Sequence, residues 1–271
     1  MTFPVKEAIR KRKSVRSFAG GALPEADKTA LEAFIRETEN PFGVPVEFRL
    51  LDAKACGLTS PVLVGAETYL AAKAARAEGF EIGFGYSFEA VCLYAASLGL
   101  GTVILAASLN RPAFEKAMDL QPGEVMPVAS PVGYPAAKLS LREGMMRKAI
   151  KSDERLPFSR VFFSGSFGTP LSPSDAGRFE EPLQMLRLAP SATNKQPWRA
   201  VVDGDTVHFF EEHSLKESAL GDIQKVDMGI ALSHFLLTAQ ERGLEGRFVT
   251  RDPEAAAPKG TEYITSFEAA R

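Results

Sequence analysis

The chain has 271 residues, of which 45% are hydrophobic and 24% charged, and its formal net charge is -2. This balance is typical of globular proteins, and the length suits one large domain or two smaller ones. Near-neutral charge gives no basis for nucleic acid or an anionic membrane as a partner. A run of about 18 apolar residues is absent, and the N-terminal residues lack the apolar stretch of a signal peptide. The sequence therefore predicts a cytoplasmic protein.

The cysteine and histidine residues indicate whether the chain has disulfide bonds or a metal site. The two cysteines, Cys56 and Cys92, are too few for a disulfide framework, and Cys92 lies in an apolar helical run that is typical of a core. The three histidines, at positions 208, 213 and 234, do not have the spacing of metal ligands. The sequence alone thus predicts no metal site.

Hydrophobic periodicity predicts the elements of the first part of the chain. The predicted helices are, in order, 3–13, 24–39, 66–78, 84–98 and 111–118. The predicted strands are 44–51, 61–65, a run within 99–107 that follows a glycine turn, and 125–134. The helix over 84–98 is apolar nearly all round, so we expect it to be central.

A polar, basic connector over 135–155 separates this part from a second set of elements. That set comprises helix 179–188, strands 198–202 and 207–210, helix 227–243 and strand 246–250. Both parts contain helices and strands. We predict two halves, 1–155 and 156–271.

The second set of elements looks like a repeat of the first. The segment 86–103 aligns with 230–247 at an offset of 144 residues, and the same offset pairs Gly85 with Gly229. At an offset of roughly 152, the helix over 30–37 corresponds to the helix over 182–188, and the strand over 46–51 to the strand over 198–202. We interpret this pattern as internal duplication.

Two segments carry polar side chains in patterns that suit a ligand. The first is Arg12-Lys-Ser-Val-Arg-Ser-Phe18, which ends a predicted helix and precedes Gly20-Gly21. Arginine offers bidentate charge-assisted hydrogen bonds, and Ser14 adds a hydroxyl, so the segment can hold a phosphate. The alternative is a solvated basic helix end that complements the helix dipole.

The second segment is Ala189-Pro-Ser-Ala-Thr-Asn-Lys-Gln-Pro-Trp198, between a helix and a strand. Pro190 ends the helix, and the short polar side chains that follow can read the edge of a flat heterocycle with donors and acceptors. The alternative is a capped turn next to a core tryptophan. Neither Gly83-Phe-Gly85 nor Gly99-Leu-Gly101 is a dinucleotide-binding fingerprint, because the third glycine is absent.

These two segments resemble motifs of the FMN-dependent nitroreductases. Arg12–Phe18 is similar to that family's Arg-x-Ser-x-Arg/Lys-x-Phe motif, and Pro190–Trp198 to its Pro-Ser-x-x-Asn-x-Gln-Pro-Trp motif. Leu98-Gly-Leu-Gly-Thr102, Val132-Gly-Tyr-Pro-Ala-Ala-Lys138 and Arg155-Leu-Pro157 resemble its later segments. Family members are usually homodimers in which one subunit supplies the arginines and the other the polar loop. Because both motifs lie in one chain here, the resemblance implies a single-chain pseudo-dimer with one FMN site at the interface of its halves, and a monomer is plausible. It also implies an α+β fold in each half, with a mixed, mainly antiparallel sheet flanked by helices.

The resemblance also implies roles for individual residues. It assigns the phosphate and ribityl chain to the first motif and to Arg155, and the flavin ring to the polar loop and to the segment after the glycine turn. The implied cofactor-binding residues are Arg12, Lys13, Ser14, Arg16, Ala106, Ala107, Arg155, Pro190, Ser191, Ala192 and Asn194. Among them we expect Lys13 to face solvent. We expect Gln196 to tie the loop and Trp198 to pack in the core.

The mirror site is expected to be degenerate. Val161 and Gly165 stand where its arginines would be, and Glu39 and Phe42 where its loop would be. The resemblance implies an oxidoreductase that passes hydride from NADH or NADPH through flavin N5 to a nitroaromatic, quinone or similar acceptor by a ping-pong mechanism, with no catalytic side chain required. The alternatives are another flavin enzyme on the same scaffold and a flavin-binding protein without turnover.

Overall fold

The computed structural model describes residues 3–138, 140–253 and 257–270. The chain divides into two compact units. The first comprises Met1–Glu39, Val44–Phe80 and Ser87–Ser152, and the second comprises Asn40–Gly43, Glu81–Tyr86 and Asp153–Arg271. The predicted division at residue 155 stays a prediction.

The first unit is built on an antiparallel sheet of five strands. In chain order its elements are α1 (Val5–Lys11), α2 (Glu25–Glu37), β1 (Glu47–Asp52), α3 (Ala53–Cys56), β2 (Thr68–Ala75), α4 (Phe80–Ser97), β3 (Gly101–Thr102), α5 (Arg111–Ala117), β4 (Glu124–Val125), β5 (Ala129–Gly133) and α6 (Leu141–Ala149). The strand order is β1-β2-β5-β3, and β4 pairs with β2. The first turns of α4 are counted with the second unit.

The second unit has a five-stranded mixed sheet. Its elements are α7 (Phe158–Val161), β6 (Phe162–Ser164), α8 (Glu180–Arg187), β7 (Trp198–Asp203), β8 (Thr206–Glu212), α9 (Ile223–Glu241), β9 (Gly246–Val249) and β10 (Thr261–Ala269). The strand order is β6-β7-β8-β10-β9, in which β6 runs parallel to β7 and the other neighbours are antiparallel. The predicted α+β class with mainly antiparallel sheets is confirmed.

Glycine allows two helical segments of the second unit to pack backbone against backbone. A Cβ at Gly85, in the first turns of α4, would clash with the carbonyl of Val226 in α9. A Cβ at Gly229 in α9 would clash with the carbonyl of Ile82 and the amide of Tyr86 in α4. Such close approach excludes every side chain, so glycine is required at both positions.

The predicted helix over 66–78 is wrong. Its alanine-rich sequence favours a helix locally, but Thr68–Ala75 forms β2. This strand pairs with β1 and β5 on its two sides, and its residues Tyr69–Ala74 are buried. Burial and ladder hydrogen bonds therefore override the local preference.

Other elements also differ from prediction. The predicted strand over 61–65 is a turn in which only Val64 bridges, to Ser17. The predicted connector over 135–155 contains α6, and its Leu139 lies outside the described residues. The strands β6 and β10 were not predicted. In the part of the chain that the structure describes, no helix is both long and apolar enough to cross a membrane.

Candidate functional site

The arginine motif follows the end of α1 and runs beside the sheet of the first unit. The backbone amide of Arg12 caps the helix by donating to the carbonyl of Ala8, and Val15 donates to the carbonyl of Thr102 at 2.9 Å. A Cβ at Gly101 would lie 2.7 Å from a methyl of Val15. Glycine at the first position of β3 thus gives the motif room to lie against the sheet.

The Arg12 side chain is buried beside a buried carboxylate. The side chains of Arg12 and Glu89 are 8% and 1% exposed, and Nε of Arg12 lies 3.6 Å from Oε1 of Glu89. That separation is too long for a hydrogen bond, and among the described residues Nε of Arg12 has no hydrogen-bond partner. Arg12 therefore keeps a buried donor available while its charge is partly compensated. It is not the solvated helix end of the alternative interpretation.

Arg16 is also buried next to a carboxylate. Its side chain lies in the core of the unit, and its backbone amide donates to Oε1 of Glu143 at 3.1 Å. Glu143 is 2% exposed, and its Oε2 accepts no hydrogen bond within the described part of the chain. Ser14 is half-buried, whereas Lys13 is exposed as expected.

Sequence reasoning missed both carboxylates. Glu89 is the one charged residue in the apolar run 84–98, and a charge in such a run has to be paired or functional. That signal could have identified Glu89. Glu143 carries no comparable signal, because it lies among basic residues in a polar segment.

The segment that the resemblance assigns to flavin N5 is a bend after β3. Ala106 is half-buried and Ala107 exposed. The guanidinium of Arg111, at the start of α5, donates to the carbonyl of Ala106 at 2.9 Å and to that of Met126 at 2.7 Å. Arg111 thereby fixes the bend, a supporting role that sequence reasoning did not identify.

The polar loop of the second unit has an unusual backbone. Thr193, Asn194 and Gln196 have φ values of 49°, 58° and 52°. Left-handed conformations are uncommon for residues other than glycine, although asparagine tolerates them better than most. Such conformations cost free energy and concentrate where a loop must present its groups in a fixed geometry.

Side chains from neighbouring segments hold this loop in place. Nη1 and Nη2 of Arg155 donate to Oδ1 of Asn194 at 3.3 Å and to the carbonyl of Leu188 at 3.1 Å. Nδ2 of Asn194 donates to the carbonyl of Glu154 at 3.1 Å. The structure thus brings Arg155 and Asn194 together within one unit. The assignment of Arg155 to a phosphate stays a prediction. Its guanidinium already donates to Asn194 and Leu188, which argues against that role.

Two further residues behave as the sequence predicts. Gln196 is buried, and its side-chain Oε1 accepts from the backbone amide of Leu156 at 2.8 Å. The backbone amide of Gln196 donates to Oγ of Ser191 at 2.8 Å. Its role in tying the loop is confirmed. Trp198 is completely buried, which confirms its place in the core.

Asp227 fixes the loop from α9. Its Oδ2 accepts from the amide of Ala192 at 2.9 Å. Burial raises the pKa of Asp227 well above its ordinary value, although the hydrogen bond from Ala192 acts in the opposite direction. Sequence reasoning missed this residue. The signal was available, because Asp227 is the one acidic residue in the apolar stretch 226–239.

Each unit, taken by itself, carries polar groups of a kind that a phosphorylated flavin uses. In the first unit, buried guanidinium groups can donate to phosphate oxygens, and the free oxygen of Glu143 can accept from a ribityl hydroxyl. In the second unit, the loop offers the short polar side chains and backbone groups that a flat heterocycle requires. The residues present therefore fit FMN.

Comparison with known proteins places the chain in a family. Its residues 4–239 match a family model described as "Putative TM nitroreductase". A nitroreductase structure from Thermotoga maritima is similar, with a TM-score of 0.64 and 23% identity over 97% of this chain and 93% of that chain, a level that supports the fold alone. No curated protein matches the chain significantly.

Two further solved structures are similar over about half of this chain. A nitroreductase from Desulfovibrio desulfuricans in complex with FMN has a TM-score of 0.41 and 20% identity, covering 53% of this chain and 95% of that chain. An FMN- and NADPH-dependent nitroreductase from a Sphigopyxis strain has a TM-score of 0.42 and 12% identity, covering 50% and 89%. Because the family model spans most of the chain, this protein belongs to the "Putative TM nitroreductase" family and has a nitroreductase-like α+β fold.

Proposed function

We propose that this protein is an FMN-dependent oxidoreductase of the nitroreductase type. When bound, FMN would supply the redox chemistry, accepting hydride at N5 from NADH or NADPH and passing electrons to a nitroaromatic, quinone or similar conjugated acceptor in a second half-reaction. The chain's own residues bind and orient the cofactor. No nucleophile or acid–base pair of the protein is needed for this chemistry.

The observation that carries the proposal is the rigid polar loop of the second unit. The short segment Ser191–Gln196 contains three residues in left-handed conformations. The side chains of Arg155 and the buried Asp227 form hydrogen bonds with it. A capped turn beside a core tryptophan does not require this much support. Ser191, Asn194 and the backbone around Pro190 and Ala192 are the proposed contacts to the flavin ring.

The arginine motif is proposed to bind the phosphate and ribityl chain. Arg12 supports this role through its buried Nε, which lacks a hydrogen bond among the described residues. Arg16 and Ser14 would add donors, and Ala106 and Ala107 would contribute backbone amides near the ring.

We further propose that the chain arose by duplication and that the mirror site is degenerate. The contacts of Gly85 with Val226 and of Gly229 with Ile82 exchange under the 144-residue offset, as equivalent contacts in a homodimer would. At the mirror positions, Val161 is completely buried and apolar and cannot bind a phosphate. The duplication hypothesis therefore predicts one FMN for each chain.

The test is a visible spectrum of the purified full chain, with FMN quantified before and after anaerobic addition of NADH or NADPH. We expect one FMN for each chain, bleached by the nicotinamide. Two FMN molecules would contradict the degenerate mirror site. Bound flavin that no nicotinamide reduces would favour a flavin-binding protein without turnover, and no binding even with added FMN would overturn the cofactor assignment.

Variants of the buried ion pair separate binding from folding. Arg12→Gln should lose FMN affinity and also destabilise the fold, by about 3 kcal/mol, because the buried Glu89 loses the compensating charge of Arg12. The double variant Arg12→Gln with Glu89→Gln should recover stability without recovering FMN binding. Lys11→Gln, an exposed change of the same charge in α1, is the control and should bind FMN normally.

A further inference from the structure

Three potential metal-binding side chains converge in the second unit. Glu211 lies on β8, where it pairs with Trp198 of β7, His213 lies directly after β8, and Asp222 precedes α9. One ligand atom from each lies within 4.8 Å of the other two. Glu211 and His213 point to the same side because side chains alternate along an extended chain. Because the cluster contains a single histidine, the spacing between histidines gave no indication of it.

Glu211 is buried in a way that calls for a cation. It is completely buried, and within the described residues neither carboxylate oxygen accepts a hydrogen bond of ordinary geometry. Nδ1 of His213 lies 2.9 Å from Oε1 of Glu211. An imidazole nitrogen and a carboxylate oxygen held this close require a shared proton or a metal ion between them.

The orientation of His213 favours a metal ion. Its Nε2 lies 3.0 Å from Oε2 of Glu262, whose other oxygen is 3.0 Å from Nζ of Lys225. A carboxylate can only accept, so Nε2 donates to Glu262. In the neutral imidazole, Nδ1 then presents its lone pair towards Glu211. A histidine held by a carboxylate on its far nitrogen is the usual outer shell of a protein metal ligand.

Asp222 can complete the set without losing its structural role. Its Oδ1 caps α9 by accepting from the amide of Gln224 at 2.8 Å, which leaves the carboxylate able to coordinate through its other oxygen. Two carboxylates and one imidazole match the ligand types of Zn²⁺ and similar divalent ions. His213 is exposed, so the cluster opens to solvent.

We propose that Glu211, His213 and Asp222 bind one divalent transition-metal ion of the Zn²⁺ class, with Glu262 orienting His213. Three protein ligands leave a coordination position for water. The ion would join the end of β8 to the start of α9, the helix that also carries Asp227. This site is independent of the proposed flavin chemistry, because none of its ligands belongs to the segments assigned to FMN.

The test is calorimetric titration of the chelator-treated full chain with Zn²⁺, with metal content measured by elemental analysis. We expect one Zn²⁺ for each chain. His213→Ala should weaken binding at least 100-fold, and Glu262→Gln should weaken it about 10- to 100-fold through loss of orientation. Asp222→Asn should also weaken it strongly while keeping the helix cap, since asparagine caps helices as well as aspartate does.

The control is Glu268→Gln, on the same strand as Glu262 but paired with Arg251, and it should bind Zn²⁺ normally. Thermal melting of each variant separates loss of a ligand from loss of fold. Absence of stoichiometric binding by a folded wild-type chain would overturn the proposal. Unchanged affinity in His213→Ala would overturn it too, and so would affinity that depends on the half-buried Cys56 instead.

Discussion

Two loops of the second unit, Asn40–Gly43 and Ser191–Gln196, follow equivalent helices in the proposed repeat but do different work. Phe42 of the first loop stacks on Phe248, with ring centroids 5.2 Å apart, and meets Tyr86 edge to face at 6.2 Å. The second loop instead exposes polar groups on a left-handed backbone. An aromatic anchor ties the first loop to its neighbours, whereas a network of hydrogen bonds leaves the second available to a ligand.

Under the proposed duplication, the contrast indicates how one copy of a site would be lost. Phenylalanine in place of a polar ligand would gain aromatic contact, which would stabilise the fold. The polar loop instead keeps costly features: unusual φ values and a buried aspartate. The following variants test this comparison, from the largest expected effect to the smallest.

The glycines that bring α4 and α9 together should be the most sensitive positions. Gly85→Ala and Gly229→Ala should each lower the free energy of unfolding by about 3 kcal/mol or more, because the added methyl meets rigid backbone. Similar losses in both would support their equivalence. Gly144→Ala is the matched control: this helical glycine has open space around it, so the change should be neutral or stabilising. Denaturant unfolding measures all three, and tolerance of either core variant would contradict the close packing.

Truncation of the aromatic loop should affect stability without affecting flavin. Phe42→Ala should cost about 2 kcal/mol, less than a fully buried phenylalanine, because Phe42 is half-buried. FMN content and affinity should stay at wild-type values. A loss of FMN in a variant that remains folded would show that this loop still contributes to a flavin site.

The buried aspartate should make stability depend on pH. Since the pKa of Asp227 is higher in the folded protein than its unfolded value of about 3.9, the unfolded chain loses this proton first as pH rises. Stability should therefore decline above about pH 4 until the native pKa is reached. Asp227→Asn keeps an acceptor for Ala192 and removes the ionisation. Its melting temperature should vary less between pH 5 and pH 8 than that of wild type. Parallel pH profiles would contradict this.

Removal of the Asn194 side chain should give the smallest effect on the fold and a specific effect on binding. Asn194→Gly preserves the left-handed backbone, so stability should fall by about 1 kcal/mol or less while FMN affinity falls about 10-fold. Asn194→Ala adds backbone strain and should be less stable than the glycine variant. Equal FMN affinity in wild type and Asn194→Gly, measured by fluorescence titration, would remove this side chain from the proposed site.

Local pattern was sufficient for some elements and misleading for others. The apolar helices α4 and α9 and the amphipathic helix α2 were predicted within a few residues, because each shows its periodicity over several turns. The strand β2 was predicted as a helix, and β10 was not predicted. Their assignment depends on pairing with β1, β5, β8 and β9, which lie far away in sequence.

Some features of the candidate site were also predicted from the sequence, and others were found only in the structure. The sequence by itself determined the two polar motifs, because the residues of each motif lie within a few positions of one another. The family resemblance added the tying role of Gln196 and the core position of Trp198. Only the tertiary structure brought Glu89 to Arg12, Asp227 to Ala192, and Asp222 to Glu211 and His213. Buried charges find their partners through packing of elements that are remote in the chain, and no local pattern records which elements those are.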